Sequence, residues 1–367
     1  MSYRDWIKRR WMKWLEKNCH SIQSIAKLST WDFVVRDFPP YADAESLLRE
    51  ASAPVACYQD SSDVQKVNNP KVAIIVLNWN GLDDTVECIE SLKKLAYADC
   101  RVVVVDNGSA GNDVSMLRER FGNYLHLIEN NVNCGFAEGN NIGIRYALTS
   151  FNPDYILLLN NDTVVDTEML TELVKAAESD TNIGMVGPKI CSYSTSDRAM
   201  PTGRTISGPT TEPSIDEINK VRFTEMIEVN LIFGCALLIK PRVIDKIGLL
   251  YPGYFAYYED AEYCIRCRKA GFKLVQVPTA VIWHKGKGTS GKVTGLTHYY
   301  MTRNQFLFVA RNCSKRRVLC FLLLFLFWSA PLTVAGFVLR NDQKGLKIFC
   351  KGAFDCIKFI LPKQHRQ

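Results

Sequence analysis

Four short polar clusters interrupt the apolar runs of this 367-residue chain. They are Asn78-Trp79-Asn80-Gly81, Asp106-Asn107-Gly108-Ser109, the glycine-rich stretch Asn133 to Asn141, and Asn160-Asn161-Asp162. Any one of them alone is an ordinary turn, because Asn, Asp and Gly favour turns for local reasons. Four such clusters at strand or turn ends point instead to one crevice. Open α/β sheets bind ligands beyond the carboxyl ends of their strands. The glycine turn departs from the dinucleotide fingerprint and follows no long strand directly, which argues against a Rossmann coenzyme site. The one CxxC, Cys264 to Cys267, has no second pair beside it, whereas a zinc site normally needs four ligands.

The elements that must position these clusters are legible as runs. Val72–Leu77, Arg101–Val105, Tyr124–Ile128 and Tyr155–Leu159 read as strands, three of them continuous apolar runs of buried type. Between them, Val86, Ile89, Leu92 and Leu95 step at helical spacing, and Asn140–Leu148 reads as a helix. Alternating strand and helix signals predict an α/β fold with a mostly parallel sheet. A further helix is expected from about Glu259 to Ala270, closed by Gly271. The polar stretch 192–228, with Pro201, Gly203, Gly208, Pro209 and Pro213, reads as a long loop, and order resumes at Phe233–Lys240.

Charge separates the ends from the body. The net charge is +7, but residues 1–20 carry +4 and residues 300–367 carry +10, which leaves the body acidic at −7. Nucleic-acid binders spread basic residues over the binding body, so no nucleic-acid partner is expected. Basic ends suit an anionic membrane surface. Trp6, Ile7, Trp11, Trp14 and Leu15, interleaved with Lys and Arg, suit either an interfacial amphipathic helix or one packed on the body. Val318–Leu339 is 22 residues without charge, long enough to span a bilayer. Basic residues flank it on both sides, so a single crossing conflicts with the positive-inside rule. A hairpin kinked at Pro331, or helices lying in plane, keeps both flanks cytoplasmic. Residues 343–361 suit a second basic amphipathic helix. No apolar h-region follows the basic N-terminus, so no secretory signal peptide is expected and the body stays in the cytoplasm. The 13 cysteines, odd in number and irregularly spaced, read as reduced thiols.

The order of the motifs resembles the family 2 glycosyltransferases of GT-A fold, especially the rhamnosyltransferase-like and galactofuranosyltransferase-like members. The pieces are VAIIVLNWNG, VVVVDNGS, NVNCGFAEGNN, LLLNNDT, FGCALLIKPRVIDKIGLL, YFAYYEDAEYCIRCRKAGFK, AVIWH and HYYMTRNQFLFVARN, across residues 71–313. The residue patterns give an amphipathic segment and linker at 1–69 and a hydrophobic, basic membrane-anchoring segment at 314–367, and the resemblance implies a GT-A domain at 70–313 between them. It implies that Asn78, Trp79 and Asn80 meet the nucleoside, with Asp106 accepting from base or ribose. Gly135 and Asn140 would line the nucleotide pocket. Asn160-Asn161-Asp162 would stand for the family's DxD motif, with Asn160 departing from its first Asp. Asp162 and His284 would hold a divalent cation, and the His nitrogen leans toward Mn²⁺ over Mg²⁺. Asp260 would be the general base, beside Glu259, and Arg303 would lie near the diphosphate.

The expected activity is inverting transfer of a sugar from a nucleotide-diphosphate donor, with dTDP-rhamnose foremost, to a hydroxyl of a glycan. The membrane anchor makes a lipid-linked acceptor in cell-surface polysaccharide synthesis the expected one. A non-catalytic nucleotide-sugar-binding or scaffold protein is the alternative, because fold alone does not secure activity. A chain-exporting synthase would need several spans, and the sequence has one long apolar run.

Overall fold

The computed structural model describes residues 69–193, 195–199, 226–286 and 295–356. The helix expected around Trp6–Leu15 and the expected linker up to residue 68 fall outside the described residues, as does most of the loop expected at 192–228. The chain divides into two compact units, one of them Asn69–Asn304, the other including the residues from Gln305 onward.

In the first unit, β1 (Val72–Asn78), α1 (Leu82–Leu92), β2 (Cys100–Asp106), α2 (Asp113–Phe121), β3 (Leu125–Glu129), α3 (Gly135–Phe151) and β4 (Tyr155–Asn160) alternate. The strands run parallel, and the register sets Asn78 beside Asp106 and Leu77 beside Asn160. Next come β5 (Thr163–Val165), α4 (Met169–Glu178), β6 (Ile183–Ser192), β7 (Thr195–Ala199) and β8 (Ile227–Glu228). They lead to β9 (Ala236–Ile239), α5 (Pro241–Ile247), α6 (Glu259–Lys269) and β10 (Lys273–His284). The sheet order is β3-β2-β1-β4-β9-β6-β10-β5, with β7 on β6 and β8 on β10. Part of the expected loop is therefore strand: Ile227 and Glu228 pair with Gln276 and Val275.

Direction decides where the polar clusters go. β9 is antiparallel to β4 and β6, β10 is parallel to β6, and β5 is antiparallel to β10. The ends of β1, β2, β4 and β10 and the starts of β5 and β9 therefore share one edge.

Both sheet faces are covered, which is why the strands carry unalternated apolar runs. Val72, Ile74, Val76, Val104 and Leu157 pack with α1, α2 and α4. Ala73, Ile75, Val105 and Leu158 pack with α3, α5 and α6. Each fully buried Ile contributes roughly 1.5–3 kcal/mol. Gly143 lets α3 lie against the sheet, since a Cβ there would stand 2.4 Å from Ile75 Cγ2. Cys264 and Cys267 are buried in this second core as free thiols.

The second unit holds the end of α7 (Leu296–Asn312), α8 (Lys315–Leu324), a π-helical turn Phe325–Ser329, α9 (Ala330–Leu339) and α10 (Gln343–Asp355). The hairpin expected at Pro331 is absent. The helix continues through it as one 25-residue stretch, Lys315–Leu339, with mean hydropathy 2.3. A π turn lies just ahead of Pro331, and Ala330 N–H donates to Phe325 O there. The break falls instead at Arg340–Asp342, where Asn341 takes φ +53° and the Asp342 side chain caps α10 by accepting from Gly345 N–H. Phe306, Phe321, Phe325, Phe337 and Phe349 form the small core of this unit, all 7% exposed or less.

Candidate active site

The loops after β1 and β2 are tied into one wall. Asn78 is fully buried, and its Nδ2 donates to Asp106 Oδ1 (2.7 Å) and Asp113 Oδ2 (3.0 Å). Its Oδ1 accepts from Thr85 Oγ1 at 2.8 Å. Asp106 also accepts from the Ser109 hydroxyl at 2.6 Å and from Ser109 N–H at 3.0 Å. Asn80, at φ +51°, accepts from Ala110 N–H (2.8 Å), and its own N–H donates to Ser109 Oγ (2.8 Å). Asn78 thus shapes this wall from inside, while the partly exposed Trp79 and exposed Asn80 stand at its surface.

The glycine-rich stretch is itself the start of α3. Gly135 has φ +84°, and a Cβ there would come within 2.6 Å of the Phe255 ring and carbonyl. Asn107, 1% exposed, donates to Asn133 Oδ1 (2.9 Å) and Gly135 O (3.1 Å) and accepts from Cys134 N–H (3.1 Å). Asn140 is likewise buried within α3 and donates back to Phe136 O at 2.9 Å. Phe136 and Ala137 N–H donate to Phe255 O (2.5 and 3.2 Å), which joins this helix start to the turn before α6.

That turn is strained. Phe255, Tyr257 and Tyr258 have φ of +65°, +69° and +76°, a region costing non-glycine residues on the order of 1–3 kcal/mol each. Asn304, fully buried, holds it by aiming Nδ2 at the carbonyls of Tyr254 (2.9 Å), Ala256 (2.7 Å) and Tyr257 (2.8 Å). Arg303 Nη2 donates to Gly253 O (2.5 Å) and Tyr254 O (2.8 Å), with its guanidinium over the Tyr300 ring. Arg303 therefore braces this turn. The turn in turn presents Glu259 and Asp260 at the first positions of α6.

Asp260 accepts from Gly234 N–H through Oδ2 (3.0 Å) and from Ala261 N–H through Oδ1 (2.7 Å). Burial raises its pKa. Glu259 is 6% exposed, and burial, then the Asp260 charge, push its pKa up to about 8. Its Oε2 makes no hydrogen bond.

On the same edge, antiparallel pairing sets His284 opposite Thr163, one residue from Asp162. His284 Nε2 lies 3.1 Å from Asp162 Oδ1. The contact is close enough for an ion pair, yet Nε2 is buried and forms no hydrogen bond. The two side chains meet where both could ligate one cation. The buried Asn160 Oδ1 beside them also lacks a hydrogen bond. Buried polar atoms left this way ask for an explanation, and an absent ligand is one. Among the described residues no cluster of three or more His, Cys, Asp or Glu could hold a metal. Two protein ligands suffice where substrate phosphates complete the shell.

The two carboxylate sites adjoin. Asn160 N–H donates to Cys235 O (2.9 Å), and Cys235 follows Gly234, which bonds Asp260. The Cys235 thiol is pushed up to about 12 by burial, then by the charges of Asp162 and Asp260.

Sequence reading missed several supports. Lys285 Nζ sits 2.6 Å from both Asp84 and Glu87 and pins the end of β10 to α1. Thr85 is a hidden hub that nothing local in a sequence marks, and Asn107 lies in a marked cluster but acts as a buried brace. The strain at Phe255–Tyr258 had no glycine signal.

The glycosyl transferase family 2 description matches residues 73–247. The hexosyltransferase Agl10 of low-salt glycan biosynthesis in Haloferax volcanii is 27% identical over 259 residues, 69% of this chain and 80% of that protein. The dTDP-rhamnosyl transferase RfbF of Shigella flexneri is 24% identical over 66% of this chain and 81% of its own length. The rhamnosyltransferase WbbL of Escherichia coli is 24% identical over 58% and 83%. Among solved structures, the mannosyltransferase PcManGT of Pyrobaculum calidifontis, in complex with GDP-Man and Mn²⁺, superposes with TM-score 0.50. It is 14% identical and covers 94% of this chain and 99% of its own. GalNAc-T7 with UDP, GalNAc and Mn²⁺ superposes equally, at TM-score 0.50 and 16% identity over 67% of this chain, which spans 51% of that one. Motif order, sheet topology and relatives agree: residues 73–247 carry a glycosyl transferase family 2 domain, and the sheet has a GT-A-like fold.

Proposed function

We propose that this chain is a metal-dependent, inverting glycosyltransferase that moves a sugar from a nucleotide diphosphate to a glycan hydroxyl. Rhamnose from dTDP-rhamnose is the leading donor, in keeping with the two rhamnosyltransferase relatives. A lipid-linked acceptor at the cytoplasmic face of a membrane fits the apolar C-terminal helix. The observation that carries the reading is the facing pair of Asp162 Oδ1 and His284 Nε2, 3.1 Å apart without a hydrogen bond.

Asp162 and His284 would hold Mn²⁺ or Mg²⁺. Bound there, the cation supplies positive charge to the leaving diphosphate. The chain does the rest. Trp79, Asn80 and the Asp106 wall receive the nucleoside. Asp260 takes the proton of the attacking hydroxyl as its oxygen bonds the anomeric carbon and the bond to the diphosphate breaks on the opposite face. Burial raises the Asp260 pKa, which strengthens it as a base, while two backbone N–H groups fix its orientation. Glu259, pushed up to about 8 by burial and by the Asp260 charge, holds a proton near neutral pH.

A thermal-shift panel of nucleotide sugars with and without Mn²⁺ tests this reading, because a ligand of the native state raises Tm. dTDP-rhamnose with Mn²⁺ should give the largest shift, and His284→Ala should lose the Mn²⁺-dependent part. A shift indifferent to Mn²⁺ would remove the metal role. Binding without turnover of any donor would favour the non-catalytic alternative, which Asn160 in place of a carboxylate suits.

A further inference from the structure

We infer that the C-terminal helical unit lies in the plane of an anionic lipid surface and does not cross the bilayer. The inference deepens the membrane part of the proposed function and rests on that part alone.

The apolar helix has two unlike faces. Phe321 and Phe325 turn inward to the phenylalanine core, 2% and 5% exposed. About 200° round the helix from them, Leu319, Leu323 and Phe327 are exposed at 58%, 47% and 77%. Leu324, Leu326 and Trp328 widen this stripe. At 25 residues the helix is long enough to span, so length does not decide the matter.

Packing does decide it. The Phe349 ring of α10 stands 6.1 Å from Phe325 and 6.1 Å from Phe337. α10 therefore lies alongside the middle of the apolar helix. Lys347 and Lys351, both exposed, flank Phe349 by two residues on either side. If the apolar helix crossed a bilayer, these two lysines would be carried to mid-depth. Each lysine there disfavours insertion roughly 100-fold by insertion scales. In plane, the same geometry is favourable. The Leu and Phe stripe enters the acyl boundary while Lys315, Arg316, Lys344 and Lys347 meet anionic headgroups. Charge at both ends and along α10 makes the partner an anionic lipid surface, since a purely apolar protein groove would leave these cations unmatched.

The test uses the full chain, tagged at both ends and synthesised cell-free with preformed vesicles. The vesicles are phosphatidylcholine with roughly a quarter phosphatidylglycerol, or phosphatidylcholine alone. The protein should float with the anionic vesicles and at least about tenfold less with the neutral ones or at high salt. External protease should remove the C-terminal tag. Leu323→Glu with Phe327→Glu should cut flotation at least about tenfold, and Lys344→Gln with Lys347→Gln and Lys351→Gln should remove the preference for anionic lipid. A protected C-terminal tag would overturn the inference in favour of a span. Equal flotation of parent and both variants would overturn the assignment of this face to lipid. Self-association that the Glu variants abolish, with no flotation of the parent, would give the face to a second copy of the chain. Nucleotide-sugar thermal shift on the same samples reports separately on the proposed activity, so either reading can fail alone.

Discussion

Glu259 shows how a single environment sets a single charge. Its carboxyl titrates near 4.5 when free and is pushed up to about 8 by burial and by Asp260. Between those values the folded state holds more protons than the unfolded chain, so this group lowers stability progressively as pH rises from about 4.5 to 8. Glu259→Gln removes the penalty. The variant should match its parent near pH 4 and melt higher at pH 8, by ~2–4 °C for each kcal/mol recovered in a domain of this size. A Tm difference that does not vary with pH would contradict this. His284 is the second residue-scale test. Loss of a ligand should raise the Mn²⁺ concentration for half-maximal activity by at least the roughly 10–100-fold that outer-shell partners cost. His284→Ala, titrated with Mn²⁺ under initial-rate conditions, measures it, and an unchanged requirement would release His284 from the metal. For single residues, the motifs offer candidates and say nothing of what supports them. Asp162, His284 and Asp260 stand out in motifs, but Asn78 and Asn140 look like contact residues and are in fact buried and bonded within the protein. A side chain's partners depend on register, which no motif prints.

The elements around the site are held by a few exacting contacts. Gly135 begins α3 with φ +84° and no room for a Cβ beside Phe255. Gly135→Ala should cost roughly 1–2 kcal/mol from the left-handed backbone, with more from displaced Phe255. Asn304→Ala would leave the carbonyls of Tyr254, Ala256 and Tyr257 without their shared donor, at about 1–3 kcal/mol. Both variants should lower Tm by several degrees. Asn304→Ala should also reduce turnover more than nucleotide binding, because the turn it braces leads to Asp260. Equal loss of both would place the turn on the donor side instead. The strands were legible because β-branched runs buried on two faces admit few other structures. The turn at Phe255–Tyr258 was not, because its three left-handed aromatics are imposed by Asn304 from another element rather than by their own types.

For the whole molecule, an acidic body with basic ends was readable from the sequence, and the apolar run with it. The place where that run turns was not: a hairpin at Pro331 was one of two expectations, yet the helix runs on through it and the chain turns at Asn341. Deleting residues 314–367 should move the protein from the membrane to the soluble fraction on cell fractionation; retention on membranes would give the anchor to another segment. The sheet contributes more than an address. Parallel and antiparallel neighbours bring Asp162, His284, Gly234 and, through Gly234, Asp260 to one edge, where the proposed leaving-group and acceptor roles would face each other across the sugar. Asp260 is proposed to perform the acceptor half of the reaction. Initial rates of nucleoside diphosphate release and sugar transfer by Asp260→Asn, measured beside nucleotide titration on the same samples, address it directly. Transfer should fall by about 10²–10⁴-fold with nucleotide affinity essentially unchanged; transfer at the parent rate would release Asp260 from the role of base.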